Sequence, residues 1–417
     1  MDAAVRDRRI AAARRAWGLD AGVVVVASGE PASIAGTDQH HPFHAHPDFS
    51  YLTGLESPSA VVAIDLATAE TAMFEPHPSV DDRVWHADEP PAGRPLAELD
   101  DWVGARSAGR VFELGATDEP ATALRAALDE LRVVKDAVEL DAMRRAAAAT
   151  TAGFAAFTRT VEPGLTERQL CSVIEGGFGF HGGDRPAYAS IVAGGPNAAV
   201  LHFSPSTRQV VDGEFLLVDA GARVDGYACD VTRTWVVGAA SERHRNVWDV
   251  VHAAQQVAIE GCVVGAEYRD IHLATARDMA AGLVEIGILR GDPSDLVMRG
   301  AMAVFFPHGV GHLIGLNVHD VAGYAPGRER TDVGGTRFLR TDRILVAGMV
   351  VTIEPGIYFI DALLDDDGLR QRYADDIAWD EVARYRGIGG VRIEDTVHVT
   401  ENEPEVLSGA IPKTLEV

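Results

Sequence analysis

The 417-residue chain is 47% hydrophobic and 24% charged, an ordinary composition for a globular protein with room for two domains. Its 62 Asp and Glu outnumber 37 Lys and Arg, and the formal net charge of −25 at pH 7 argues against nucleic acid and anionic membrane as partners. Three cysteines (Cys171, Cys229 and Cys262), a charged opening MDAAVRDRRIAAARRAW with no secretory signal, and no apolar stretch long enough to span a bilayer point to a reducing cytoplasm without a disulfide framework.

In chain order, residues 1–19 read as an amphipathic helix with Ile10, Ala13 and Trp17 on its apolar side. GVVVVAS is a short, continuous β-branched run of the kind that makes a buried strand. Residues 60–66, 71–75 and 110–115 are further strand candidates, and helical pattern recurs at 96–103 and 121–131. Strands alternating with helices predict a small α/β domain over residues 1–130, with no phosphate loop and no GxGxxG after a strand. Two of its loops stand out: one carries His40, His41, His44 and His46, the other Trp85 and His86. A Pro-interrupted histidine loop rarely supplies fixed metal geometry, so a surface loop, or a loop reaching over a neighbouring site, fits it better.

Residues 131–417 form the second predicted domain. A long Ala-rich helix starts near Lys135, and a second follows Thr166, where TERQ is a capping-box pattern. A third opens at Ser241 with S-x-x-H rather than a strict box, and a fourth covers 269–288. Between them lie strand runs including YASIVAGG, GEFLLVDAGARVDGYACDVTRTWVVG, MVVTIEPGIYF and VRIEDTVHVT. Long helices grouped with antiparallel strands predict an α+β domain whose sheet is covered by helices on one face.

The chemistry concentrates in a few stretches. PHGVGHLIGLNVHD holds His308, His312 and His319. Gly309, Gly311 and Gly315 disfavour a helix there, and no Glu adjoins His308 as in zinc-peptidase helices, so a turn and strand are expected, where the backbone passes close to another part of the chain. Asp219 ends one strand and Asp230 begins the next, across a hairpin signal at Asp225-Gly226 that can put both carboxylates on one face. Either one alone reads as a turn aspartate; buried, Asp219 needs a cation side chain, a proton or a metal. Glu354 follows an apolar run and precedes Pro355-Gly356, at a strand end beside a forced turn. Arg392 and Glu394 lie two apart, hence on the same strand face, where they could equally be an exposed ion pair. Taken together, Asp219, Asp230, His312, Glu354 and Glu394 make an oxygen-rich donor set suited to hard divalent ions, Mn(II) first, with Co(II) or Zn(II) as alternatives. Four carboxylates balance two such ions better than one. A pair of ions generates a bridging hydroxide near neutral pH and polarises the bond under attack.

These motifs resemble the metallopeptidases of the pita-bread fold (peptidase family M24): methionine aminopeptidases, Xaa-Pro aminopeptidases and Xaa-Pro dipeptidases. VDAG, CDVTRTW, HGVGHLIGLNVHD, TIEPGIYF and VRIED occur in the family's order, and the likeness covers about residues 135–417. A looser one joins the first domain to the creatinase-like N-terminal domain of the proline-directed members. The resemblance implies a catalytic pita-bread (creatinase/aminopeptidase) domain, two metal ions and a homodimer. It implies Asp219 as a terminal ligand of one metal, Asp230 and Glu394 as bridges, and His312 and Glu354 as ligands of the other. Glu354 would also handle the proton of the attacking water and the leaving nitrogen. Further implied roles are substrate contact for His202, an outer position for His308, a hydrogen bond to the scissile carbonyl or its oxyanion for His319, and support of the ligands by Tyr188 and Arg392. Arg340 falls on a prolidase arginine that holds the carboxylate of a C-terminal proline. The expectation is therefore a cytoplasmic prolidase cleaving Xaa-Pro dipeptides, with an Xaa-Pro aminopeptidase acting on longer peptides as the alternative. A metal-free binding protein on the same fold is disfavoured because every ligand position is filled.

Overall fold

The computed structural model describes residues 1–80, 82–85 and 93–417. His86 lies outside them, and Trp85 ends the short helix Asp82–Trp85. The chain divides into two compact units, Met1–Arg132 and Val133–Val417.

In the first unit, helix Ala3–Trp17 starts where the Asp2 carboxylate accepts the Val5 amide at 2.8 Å and stops at Gly18 in the left-handed region. Val5, Ile10, Ala13 and Trp17 are buried on one side, as their spacing predicts. The strands are β1 (Val23–Ala27), β2 (Val61–Asp65), β3 (Thr71–Glu75), β4 (Arg94–Pro95) and β5 (Val111–Glu113), in the order β4-β3-β2-β1-β5. β1 pairs antiparallel with β2 and parallel with β5, which places Val23, Val24 and Val26 in the core. Within the histidine loop, His46 has a local structural use. Its Nδ1 accepts the Asp48 amide at 3.3 Å and caps helix Pro47–Thr53, while buried Asp48 pairs with Arg132 at 2.8 Å.

The second unit opens with helices Ala137–Thr160 and Glu167–Phe180, each started by a full capping box: Asp136 with Glu139, and Thr166 with Gln169. The two cross where Gly153 meets the Phe178 ring and Gly177 meets Gly153, with no room for a Cβ at either glycine. Helices Glu242–Glu260 and Tyr268–Glu285 follow. At the first of these the S-x-x-H pattern proves to be a working box. Ser241 Oγ accepts the His244 amide, and His244 Nδ1 accepts the Ser241 amide at 3.2 Å, so the imidazole does the work of a Glu carboxylate.

The remaining strands are β6 (Arg185–Pro186), β7 (Ile191–Gly194), β8 (Phe215–Asp219), β9 (Ala222–Val224), β10 (Tyr227–Ala228), β11 (Thr232–Val236), β12 (Val350–Ile353), β13 (Gly356–Tyr358), β14 (Gly390–Arg392), β15 (Asp395–His398) and β16 (Glu405–Val406). They form antiparallel groups β11-β8-β7, β10-β9-β6, β12-β15-β16 and β13-β14, giving an α+β unit. β8 is buried on both faces, which explains its unbroken apolar run. Leu216 and Val218 pack with Phe154, Phe157 and Trp235 beneath the first two helices. Leu217, on the other face, joins Tyr358 and Ile191, and Asp219 shares that face by its period of two.

Pro307–Asp320 departs from the strand expected for it. It forms neither helix nor regular strand. It runs beside β12 with broken pairing: Thr352 N to His312 O at 2.8 Å, Ile314 N to Val350 O at 3.1 Å, and Glu354 N to Val310 O at 2.8 Å. A Cβ at Gly311 would collide with the Thr352 carbonyl and the Tyr268 hydroxyl, so the glycine serves this close approach rather than a strand.

Candidate metal centre and active site

Strand ends and the irregular 307–320 segment converge on one cavity of about 690 Å³. Every sequence-predicted site residue lines it: Asp219, Asp230, His312, Glu354 and Glu394 together with Tyr188, His202, His308, His319, Arg340 and Arg392. Asp230, His312 and Glu394 are buried and each brings a donor atom within 4.8 Å of the others. Glu354 Oε1 lies 3.5 Å from His312 Nε2, and Asp230 Oδ2 lies 3.6 Å from the same nitrogen. Asp219 joins the group through shared partners. Tyr188 Oη donates to Asp219 Oδ1 at 2.6 Å and also to Asp230 Oδ1, and Arg392 Nη2 donates to Asp219 Oδ2 at 2.5 Å.

Arg392 and Glu394 are not an exposed ion pair. Regular pairing breaks after Arg392, both residues are buried, and both reach Thr232. Arg392 Nε donates to Thr232 Oγ1 at 3.0 Å, and that hydroxyl donates to Glu394 Oε2 at 2.6 Å. Arg392 Nη1 donates to Tyr358 Oη at 2.8 Å, and Tyr358 Oη lies 3.0 Å from His308 Nε2. With His308 Nδ1 2.8 Å from the Gly309 carbonyl, the self-consistent arrangement has Nδ1 protonated and Nε2 accepting from Tyr358. Thr232 and Tyr358 were not picked out from the sequence. A threonine two residues after Asp230 and a tyrosine four after Glu354 carry no signal until the strands are placed.

Burial raises the Glu354 carboxyl to about 7, with His312 and Arg392 pulling the other way. Burial, then the neighbouring carboxylates Asp230 and Glu354, drive Glu394 well above the usual range. Asp219 is raised by burial against the pull of Arg392. Burial works against ionised Asp230 as well, yet the hydrogen bond and charge of His312 hold its carboxyl below the ordinary value. Burial also disfavours protonated His312, but Asp230 and Glu354 outweigh it and raise that imidazole. Burial raises Asp219, Glu354 and Glu394, while His312 holds Asp230 down, so four carboxylates are crowded around two cationic side chains. Hard divalent cations fit such a site. His312 Nδ1 lies 3.0 Å from the Leu313 carbonyl, the tautomer that leaves Nε2 free to bind metal. Burial and the Arg392 charge push His308 down to about 3; burial and His312 push His319 down to about 4, so both act as neutral imidazoles. Burial pushes the Cys229 thiol up to about 12, which removes it as a nucleophile.

Arg340 sits exposed at the cavity wall and, among the described residues, has no carboxylate partner. Its neighbours are engaged. Arg337 pairs with Asp332 at 3.4 Å, and Arg330 donates to the carbonyls of Arg337 and Leu339 at 3.2 and 2.8 Å. His202 is likewise exposed on the wall.

The model for "Metallopeptidase family M24" matches residues 141–401, and that for "Aminopeptidase P, N-terminal domain" matches residues 5–98. A probable Xaa-Pro aminopeptidase PEPP from Fusarium vanettenii is 30% identical over 92% of this chain and 88% of its own. Among solved structures, aminopeptidase PepP from Pseudomonas aeruginosa superposes with a TM-score of 0.80 at 30% identity, over 99% of this chain and 96% of the other. E. coli aminopeptidase P with the inhibitor Pro-Leu gives a TM-score of 0.83 at 25% identity, over 99% and 96%. The likeness thus runs through both units, and the buried carboxylates fall within the stretch matched by the catalytic model. The protein belongs to metallopeptidase family M24, on the pita-bread fold with an aminopeptidase P-type N-terminal domain.

Proposed function

We propose that this metallopeptidase is an Xaa-Pro exopeptidase of the aminopeptidase type, removing the first residue from peptides with proline in second place. The observation that carries the reading is the convergence of Asp219, Asp230, His312, Glu354 and Glu394 on one buried cavity, in a chain whose relatives carry the aminopeptidase name. These residues would hold two divalent ions, with Mn(II) the first choice for an oxygen-rich donor set. When bound, such ions activate water near neutral pH and polarise the scissile carbonyl.

The chain's own residues account for the rest. Glu354, beside His312 in the cavity, would take a proton from the attacking water and deliver it to the prolyl nitrogen as the bond breaks. Neutral His319 offers an N–H to the carbonyl oxygen as charge builds there. Tyr188 and Arg392 hold Asp219 from two sides, and Thr232 couples Arg392 to Glu394, so the carboxylates are oriented before substrate arrives. His202 lines the wall where the substrate lies.

Arg340 favours a second reading, the Xaa-Pro dipeptidase expected from the sequence. A guanidinium at the cavity wall with no acidic partner among the described residues suits the free carboxylate of a C-terminal proline. The two readings separate in hydrolysis of Ala-Pro and Ala-Pro-Ala after Mn(II) loading. Cleavage of the tripeptide supports the aminopeptidase, and cleavage of Ala-Pro alone supports the dipeptidase. Cleavage of neither by metal-loaded protein would reject both.

A further inference from the structure

Under the proposed function His319 meets the scissile carbonyl, yet the residue is exposed and makes no hydrogen bond among the described residues. Its ring packs edge-to-face on His312, centroids 4.4 Å apart. What fixes the imidazole must therefore lie in the backbone. The next residue, Asp320, places its Oδ2 2.8 Å from Lys135 Nζ, and the two side chains are only 2% and 1% exposed. Lys135 is itself anchored, its amide donating to the Gly348 carbonyl at 2.8 Å just before helix Ala137–Thr160. The loop is tied at three more points: Asp320 N to Leu313 O at 2.8 Å, Arg223 Nη1 to Leu316 O at 2.7 Å, and Ala228 N to Gly315 O at 2.9 Å. A side chain at Gly315 would strike both the Asp320 carboxylate and the Lys135 ammonium, so the loop is shaped around the pair.

A buried ion pair is a poor device for stability, because desolvation offsets most of the attraction; its attested use is to fix one arrangement among several. We infer that the Lys135–Asp320 pair consists of positioning residues that set His319 against the substrate carbonyl. The inference rests on the role given to His319 under the proposed function. The pair touches neither substrate nor metal, so it acts on kcat and leaves metal content alone.

The test replaces the pair by apolar side chains, K135M/D320L, and thermal melting of the variant checks that it is folded. With Mn(II)-loaded full-length protein, kcat on the peptide it cleaves falls about 10- to 100-fold with KM unchanged, a loss typical of a misplaced catalytic group. In an H319A background the same replacement costs nothing further, because both changes act through one imidazole. Losses that multiply in the two backgrounds overturn the inference. K135R, which keeps the charge, retains far more kcat than K135M; equal losses in the two count against it. A substrate-free measurement completes the set. The His319 ring NMR signal, assigned by its disappearance in H319A, shifts or broadens in K135M/D320L, and an unchanged signal overturns the inference. Wild-type protein that cleaves no Xaa-Pro peptide would instead reject the proposed function and leave the NMR result to decide on the pair.

Discussion

Glu354 carries the clearest residue-scale consequence. Under the proposed function its carboxyl would both hold metal and move a proton. Glu354→Gln keeps the side chain's size, removes the titratable proton and weakens the oxygen donor. The expected loss is at least about 100-fold in kcat, the lower end for a general acid–base, with the melting temperature of the metal-free protein little changed. Near-normal turnover by metal-replete E354Q would remove the assigned role. Arg340 makes a sharper distinction, because its effect depends on the substrate's end. Arg340→Ala should raise KM for Ala-Pro and leave KM for the C-terminally amidated dipeptide almost as it was. Equal losses on the two substrates would show that the guanidinium does not meet a carboxylate.

The irregular segment Pro307–Asp320 is the element on which the site turns, since it presents His308, His312 and His319 while running beside β12, which leads to Glu354. Gly311→Ala forces the two apart at the Thr352 carbonyl. Overpacking of this kind costs about 1–3 kcal/mol, and here it should weaken metal binding as well, because ligands lie on both sides of the contact. Calorimetric metal titration and thermal melting check this; a G311A protein with wild-type metal affinity and stability would contradict it. The same element shows where sequence reading reached its limit. Helix starts were legible at Thr166 because a capping box is a local pattern. The candidate ligands, which the structure brings to one cavity, were conspicuous as carboxylates at the ends of apolar runs. Glycines in the histidine segment signal a close backbone approach, and that approach is observed; the regular strand expected with it is not, because the partners Thr352, Tyr268, Asp320 and Lys135 are distant in sequence. Thr232, Tyr358 and the Lys135–Asp320 pair were invisible for the same reason, since their meaning is a convergence in space.

At the scale of the whole molecule, pH and metal are the variables that matter. His272 lies away from the ligands, on helix Tyr268–Glu285, and burial pushes it down to about 4 from an ordinary 6.5. Its folded-state pKa is depressed, so its contribution is fully present above pH 6.5 and is lost as the pH falls through 4, because the unfolded chain takes up the proton first. Urea midpoints should therefore decline between about pH 6.5 and 4, and His272→Leu should flatten that decline; an identical slope in the variant would contradict the assignment. Metal works in the opposite sense. Cations bound only by the folded chain stabilise it by about 4 kcal/mol at a thousandfold excess over Kd. Burial of four carboxylates in one cavity is the reason the folded protein binds them.

The most direct test joins metal content to turnover: Mn(II) titrated into chelator-stripped protein, with bound metal and Ala-Pro-Ala hydrolysis read from the same samples. The two-metal account predicts negligible activity in the stripped chain and a rise that levels off at two ions per chain, with Glu394→Ala failing to reach that plateau. Full activity in the stripped protein, or wild-type protein that binds no Mn(II), would contradict it.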